Sequence, residues 1–172
     1  MKHTLYLIVI VLFLTQACKK AHTSVDQSTD HSLIESAQLF FQEHLEHQTP
    51  VLNANTRITA GKRPYWPAAY TVNSSKGILV VVPVIYQKNL VVKTNFSGKR
   101  VMALNYLTKL VMYKNDNGFY AQLATYFPDS ACNTTPNGAF SGLIFSETWL
   151  GQPIAKYKLA GGIALTQTEA PL

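Results

Sequence analysis

The sequence predicts an α+β domain: one N-terminal amphipathic helix packed on an antiparallel meander sheet of about seven strands. Three observations predict it. Residues 32–47 repeat apolar side chains at three-to-four spacing. After residue 68 the pattern changes to short apolar runs separated by Gly, Asn and Ser. Asn115-Asp116-Asn117-Gly118, set between two such runs, is a strong hairpin signal. A small closed barrel with the helix plugging one side is the alternative.

Ahead of the domain, Lys2 precedes an apolar run from Leu5 to Leu14, and Thr15-Gln16-Ala17-Cys18 closes the segment. A basic start, a roughly ten-residue apolar core and small residues before a cut point make a secretory leader over residues 1–17. A membrane span needs about twenty apolar residues, more than this segment offers. With Cys18 directly after Ala17, the stretch resembles a type II, or lipobox, signal peptide. That resemblance implies acylation of Cys18, which becomes the new N-terminus. It departs from the usual lipobox in having Thr15 where Leu is preferred, and an ordinary leader cut at the same bond is the alternative. Lys19 and Lys20, with no Asp beside the cysteine, imply by the same resemblance sorting to the outer membrane of a Gram-negative bacterium.

Residues 18–30 are polar and aperiodic and read as a flexible tether. About twelve such residues reach roughly 20 Å. Residues 31–172 then form a single domain, large enough for one core and too small for two. Ser32-Leu33-Ile34-Glu35 reads as a capping box. Leu33, Ile34, Ala37, Phe40, Phe41 and Leu45 make one apolar stripe, and Thr49-Pro50 stops the helix.

Arg63-Pro64-Tyr65-Trp66-Pro67 is too proline-broken for a central strand and reads as an ordered surface segment. A first strand is expected over 68–72 and a second over 78–86, whose near-continuous apolar run suits burial on both faces. Pro83 inside that run conflicts with a central position. Further strands follow at 90–96, 104–114, 119–127, 139–146, 153–159 and 163–165. The 100–114 stretch also fits a helix through Val101, Leu104, Leu107 and Val111; the hairpin signal after it favours strand over 104–114.

The chain carries a net charge of +6, unevenly spread. No acidic residue occurs between Glu46 and Asp116, a span that contains Arg63, Lys93, Lys99, Arg100 and Lys109. A basic middle can present a positive face to an anion, with Arg63, Lys99 and Arg100 as candidate contacts. Solvent-side lysines that keep sheet edges soluble are the plainer account. In an envelope setting the anion is a glycan or lipid; no RNP, zinc or helix-turn-helix signature supports nucleic acid. If Cys18 carries lipid, Cys132 lacks an intrachain partner, so the domain is expected to fold without a disulfide.

Catalytic constellations are absent from the motifs. Asp129 with Glu147 is the sole acid/base pairing worth weighing, and Cys132 has no adjacent base. His44 and His47 share a helical face, yet two histidines at a helix C-terminus suit the helix dipole without any metal. No metal or cofactor is therefore expected. Asp129-Ser130-Ala131 resembles the Asp-Ser/Thr-aliphatic acceptor for O-linked glycans in Gram-negative envelope proteins, which makes Ser130 a candidate modification site. Tyr65-Trp66-Pro67-Ala68, the 78–84 run and Tyr113-to-Phe119 are loosely similar to uncharacterised secreted bacterial lipoproteins, a resemblance that implies no catalytic residue. The expectation is a non-enzymatic, lipid-anchored envelope binding module with a basic surface. An envelope hydrolase, or an inhibitor or immunity-type partner of another envelope protein, is the alternative.

Overall fold

The computed structural model describes residues 29–48, 61–74, 77–94, 101–116, 118–133 and 140–169. They form an α+β domain, dominated by antiparallel sheet with one main helix. That helix, α1 (His31–His44), is the first described element but does not begin at the chain terminus. Ile34, Ala37 and Phe41 are its buried positions, the stripe that the three-to-four spacing demands. Its cap differs from the expected box. Asp30 is the N-cap, its carboxylate accepting from the Leu33 amide at 3.1 Å, and Ser32 already lies in the first turn.

Ten strands rather than about seven follow α1 among the described residues. They are β1 (Lys62–Pro64), β2 (Tyr70–Ser74), β3 (Gly77–Tyr86), β4 (Val91–Lys93), β5 (Val101–Ala103), β6 (Thr108–Asn115), β7 (Gly118–Pro128), β8 (Gly142–Glu147), β9 (Pro153–Ala160) and β10 (Ile163–Glu169). Eight make one sheet in the order β1-β3-β6-β7-β8-β9-β10, with β2 also on β3. β4 and β5 pair separately as a hairpin. Along the sheet no pairing closes β10 onto β1 or β2, so the described strands form an open sheet and not the alternative barrel.

Two departures explain the extra strands. The proline-broken segment supplies β1, a three-residue edge strand that pairs Lys62 with Tyr86 and Pro64 with Val84. Within the ambiguous 100–114 stretch, Val101–Ala103 is strand, Leu104–Leu107 is a single helical turn (α2), and the long strand starts only at Thr108. Leu104 and Leu107, the residues that fitted the helical period, are the ones this turn buries. The Asn115-to-Gly118 hairpin stands where its signal put it, joining β6 to β7.

Pro83 also finds its reason here. β1 pairs with β3 at residues 84–86 and β2 at 77–81, while β6 takes the other edge at 79–83. Between β1 and β2 the chain leaves the ladder for a 3-10 turn at Trp66–Ala68. The Pro83 carbonyl accepts the Tyr65 amide at 2.7 Å on that edge. A strand residue points its nitrogen and carbonyl to the same neighbour, so the missing N–H faces the interruption and costs the sheet no bond.

Both sheet faces are covered. Val80, Val82, Val84, Leu110, Met112 and Leu123 meet Ile34, Ala37 and Phe41 of α1, together with Trp149. On the other face Leu79, Val111, Tyr126, Ile144 and Tyr157 pack with Phe140 and Cys132. Gly142 opens β8 with φ of +144°, and a side chain there would run into the Phe127 carbonyl oxygen. At the far edge β10 pairs with β9, with a register shift between Ala164 and Thr166.

Candidate functional site

Alternation along the strands decides which polar groups meet. In β9 the buried Ala155, Tyr157 and Leu159 alternate with exposed Lys156 and Lys158. Lys158 pairs with Leu143 of β8, which pairs with Phe127 of β7. Phe127 packs with the α1-side core, so this row belongs to the sheet face that carries the helix. The β4–β5 hairpin lies over the same face, with Val92 turned into that core.

Where the hairpin ends, the chain leaves an open cleft of about 500 Å³ lined by Lys93, Thr94, Phe127, Pro128, Asp129, Gly142, Leu143 and Lys158. Two lysines share this lining with Phe127, Pro128 and Leu143. Thr94 donates from its hydroxyl to the Pro128 carbonyl at 3.2 Å, which ties the hairpin to the end of β7. Asp129 is occupied in holding the backbone. Its Oδ1 accepts from the Ala131 amide at 3.0 Å and its Oδ2 from the Ser141 hydroxyl at 3.0 Å. The carboxylate keeps its charge in these bonds, so one anion stands against two lysines and the lining carries a net positive charge.

Of the predicted anion contacts, Arg63 is exposed on β1, but its register partner Ile85 places it on the sheet face away from the helix. The structure does not bring it to the cleft. Lys99 and Arg100 lie outside the described residues, as does Cys18. Ser130 is exposed in the 3-10 turn Ser130–Asn133, beside the hydrogen-bonded Asp129.

Asp129 and Glu147 are held apart. Asp129 is bonded to Ser141 at the start of β8, and Glu147 ends that six-residue strand. Six residues of strand span about 20 Å, against the ~5–9.5 Å that separates a working pair of carboxyl groups. Glu147 is instead buried at 1% exposure, two residues before Trp149. The Lys62 ammonium lies 4.9 Å from the Trp149 ring centre, and Phe41 meets the same indole edge-on at 4.7 Å. The His44 ring lies tilted against Phe40, with ring centres 4.6 Å apart. Among the described residues no group of three metal-ligating side chains gathers.

Cys132 is buried, packed with Tyr126, Phe140 and Ile144. Burial raises the Tyr126 phenol well above its ordinary pKa, with a further contribution from Tyr70, and burial also raises Tyr70. Burial lowers the Lys109 ammonium.

No family model, no curated protein and no solved structure matches the chain. Among the described residues no helix is long and apolar enough to cross a membrane. Neither Lys93 nor Lys158 belonged to the anion site read from sequence, though Lys93 sits in its acid-free span.

Proposed function

We propose that this chain is a lipid-anchored protein of the cell envelope, at the outer membrane of a Gram-negative bacterium, and that its α+β domain is a non-enzymatic module that binds an anion. The observation that carries the binding reading is the cleft where Lys93 and Lys158 flank an apolar floor. An anionic group held there is attracted by both ammonium groups, while Phe127 and Leu143 take up less polar parts of the same molecule. The leader-like residues 1–17 and Cys18 support export and anchoring.

One sulfur cannot carry both a lipid thioether and a disulfide, and Cys18 is the chain's other cysteine. Mass spectrometry of the N-terminal peptide from membrane-purified protein therefore tests the anchor. The expected peptide begins at acylated Cys18. A peptide beginning at Met1, or one joined through Cys18 to Cys132, removes the anchor. Binding is tested by retention on an immobilised acidic glycan at low salt. Lys93→Glu with Lys158→Glu should reduce retention about tenfold, because each reversal replaces attraction by repulsion. Unchanged retention of the double variant overturns the anion site.

A further inference from the structure

The β4–β5 hairpin has an inner and an outer face. Val92 packs into the α1-side core, so its neighbours Val91 and Lys93 point the other way. The register sets Val91 beside Ala103 and Lys93 beside Val101. Val91 is 55% exposed and Val101 54%. Tyr106, in the turn that follows, is 76% exposed. Two bare valines and a lysine thus share one small, firmly backed surface, with a tyrosine close by. Its backing is secured by three bonds: the Leu104 amide to the Leu90 carbonyl at 2.9 Å, the Tyr86 amide to Asn105 Oδ1 at 2.9 Å, and Thr94 to Pro128. Lys93 also lines the cleft, so the apolar face and the cationic cleft adjoin.

We infer that this outer face docks on an anionic lipid bilayer, with Val91 and Val101 entering the interfacial layer and Lys93 and Lys158 meeting lipid phosphates. The inference rests on the anchored reading above. Valine at the headgroup boundary gains by leaving water, and a lysine can keep its ammonium among phosphates while its stem lies along apolar groups. A tyrosine has the same mixed character and favours the interface. Positive charge near an anionic leaflet adds attraction that salt weakens.

Such a patch is too small to hold a free protein on a membrane. It does not have to. The described chain starts at Thr29, and the Asp30 amide bonds the Thr71 hydroxyl at 3.4 Å. Thr71 pairs with Val80, on the same sheet face that carries the hairpin. Thr29 follows Cys18 by about eleven residues, and a flexible chain of that length has a reach of roughly 20 Å. At that range the effective concentration of lipid is high enough for a weak contact to be occupied.

The test is hydrogen exchange on the full membrane-purified protein in vesicles of phosphatidylcholine, with and without phosphatidylglycerol. Flotation with the neutral vesicles reports the anchor by itself. Docking predicts that exchange in segments 90–93 and 101–106 slows about tenfold when phosphatidylglycerol is present, and that high salt removes the effect. Val91→Asn with Val101→Asn, which add no charge beside Lys93, should abolish the protection yet leave retention on the acidic glycan unchanged. Lys93→Glu should weaken both. Protein that floats with neutral vesicles but gains no protection with anionic ones overturns the docking and leaves the anchor standing. Protein that floats only with anionic vesicles removes the anchor and, with it, the docking argued here, which needs the anchor to hold so small a patch at the bilayer. Circular dichroism of each variant confirms that the exposed substitutions leave the fold intact.

Discussion

The Pro83 carbonyl accepts the amide of Tyr65 at 2.7 Å, across the point where β1 hands over to β2 along one edge of β3. A proline is admitted to the middle of a buried strand because its missing donor faces a place where the partner chain has turned away. Its neighbour Val82 addresses the opposite edge, where it pairs with Leu110. Pro83→Val should therefore change stability by no more than ~1 kcal/mol, largely through the unfolded chain. Val82→Pro should remove a ladder bond of the central pair and leave the domain largely unfolded. Urea midpoints of the two variants check this, and equal losses would sink it.

Phe41 is the point where helix and sheet-side aromatics lock together. Its ring lies 4.7 Å from Trp149 and 5.9 Å from Trp66, edge-on to both. Phe41→Ala should cost ~3–5 kcal/mol through lost burial and the cavity left behind. The chain has two tryptophans, both in contact with this ring, so the folded-state emission should shift to the red in the same variant. A denaturation midpoint unchanged beside a shifted spectrum would contradict the packing role.

Alkaline stability follows from the tyrosines. Burial raises the pKa of Tyr126 and Tyr70 in the fold, so the folded chain keeps phenolic protons that the unfolded chain releases above about pH 10. Their contribution is intact below that value and is lost as pH climbs beyond it. Tyr126→Phe should flatten the alkaline limb of a pH–melting curve. Lys109 has the reverse sign. Its lowered pKa means the unfolded chain binds more protons below the ordinary value of 10.5, so stability rises with pH toward that value. Lys109→Met should remove that rise and raise the melting temperature near neutral pH. A parallel curve for either variant would refute its assignment.

Much of this architecture is legible in the residues, and the gaps have physical causes. The apolar period located α1, since Ile34, Ala37 and Phe41 had to face something. Its cap was misplaced because Asp30 and Ser32 both suit that role, and only the turn geometry chooses. β1 was missed because three residues including a proline carry no alternation, and its strand character comes entirely from β3. The cleft was illegible for a related reason. Lys93 and Lys158 lie far apart in sequence and meet only through the register of β7, β8 and β9 and a hairpin laid over them. Arg63 shows the converse: a suitable charge in the right span, turned to the opposite face by one step of strand parity.

The slip between Ala164 and Thr166 has a bearing on how the molecules behave in a crowd. β10 carries bare Ile163 and Leu165 at 70% and 57% exposure, and among the described strands β9 is its one neighbour. A straight ribbon so decorated invites a second molecule to zip on. The extra residue throws the donors and acceptors out of step, so an incoming strand finds a crooked template. Straightening that kink by deleting Leu165 should leave an edge that other copies can extend, seen as faster growth of thioflavin-binding aggregates.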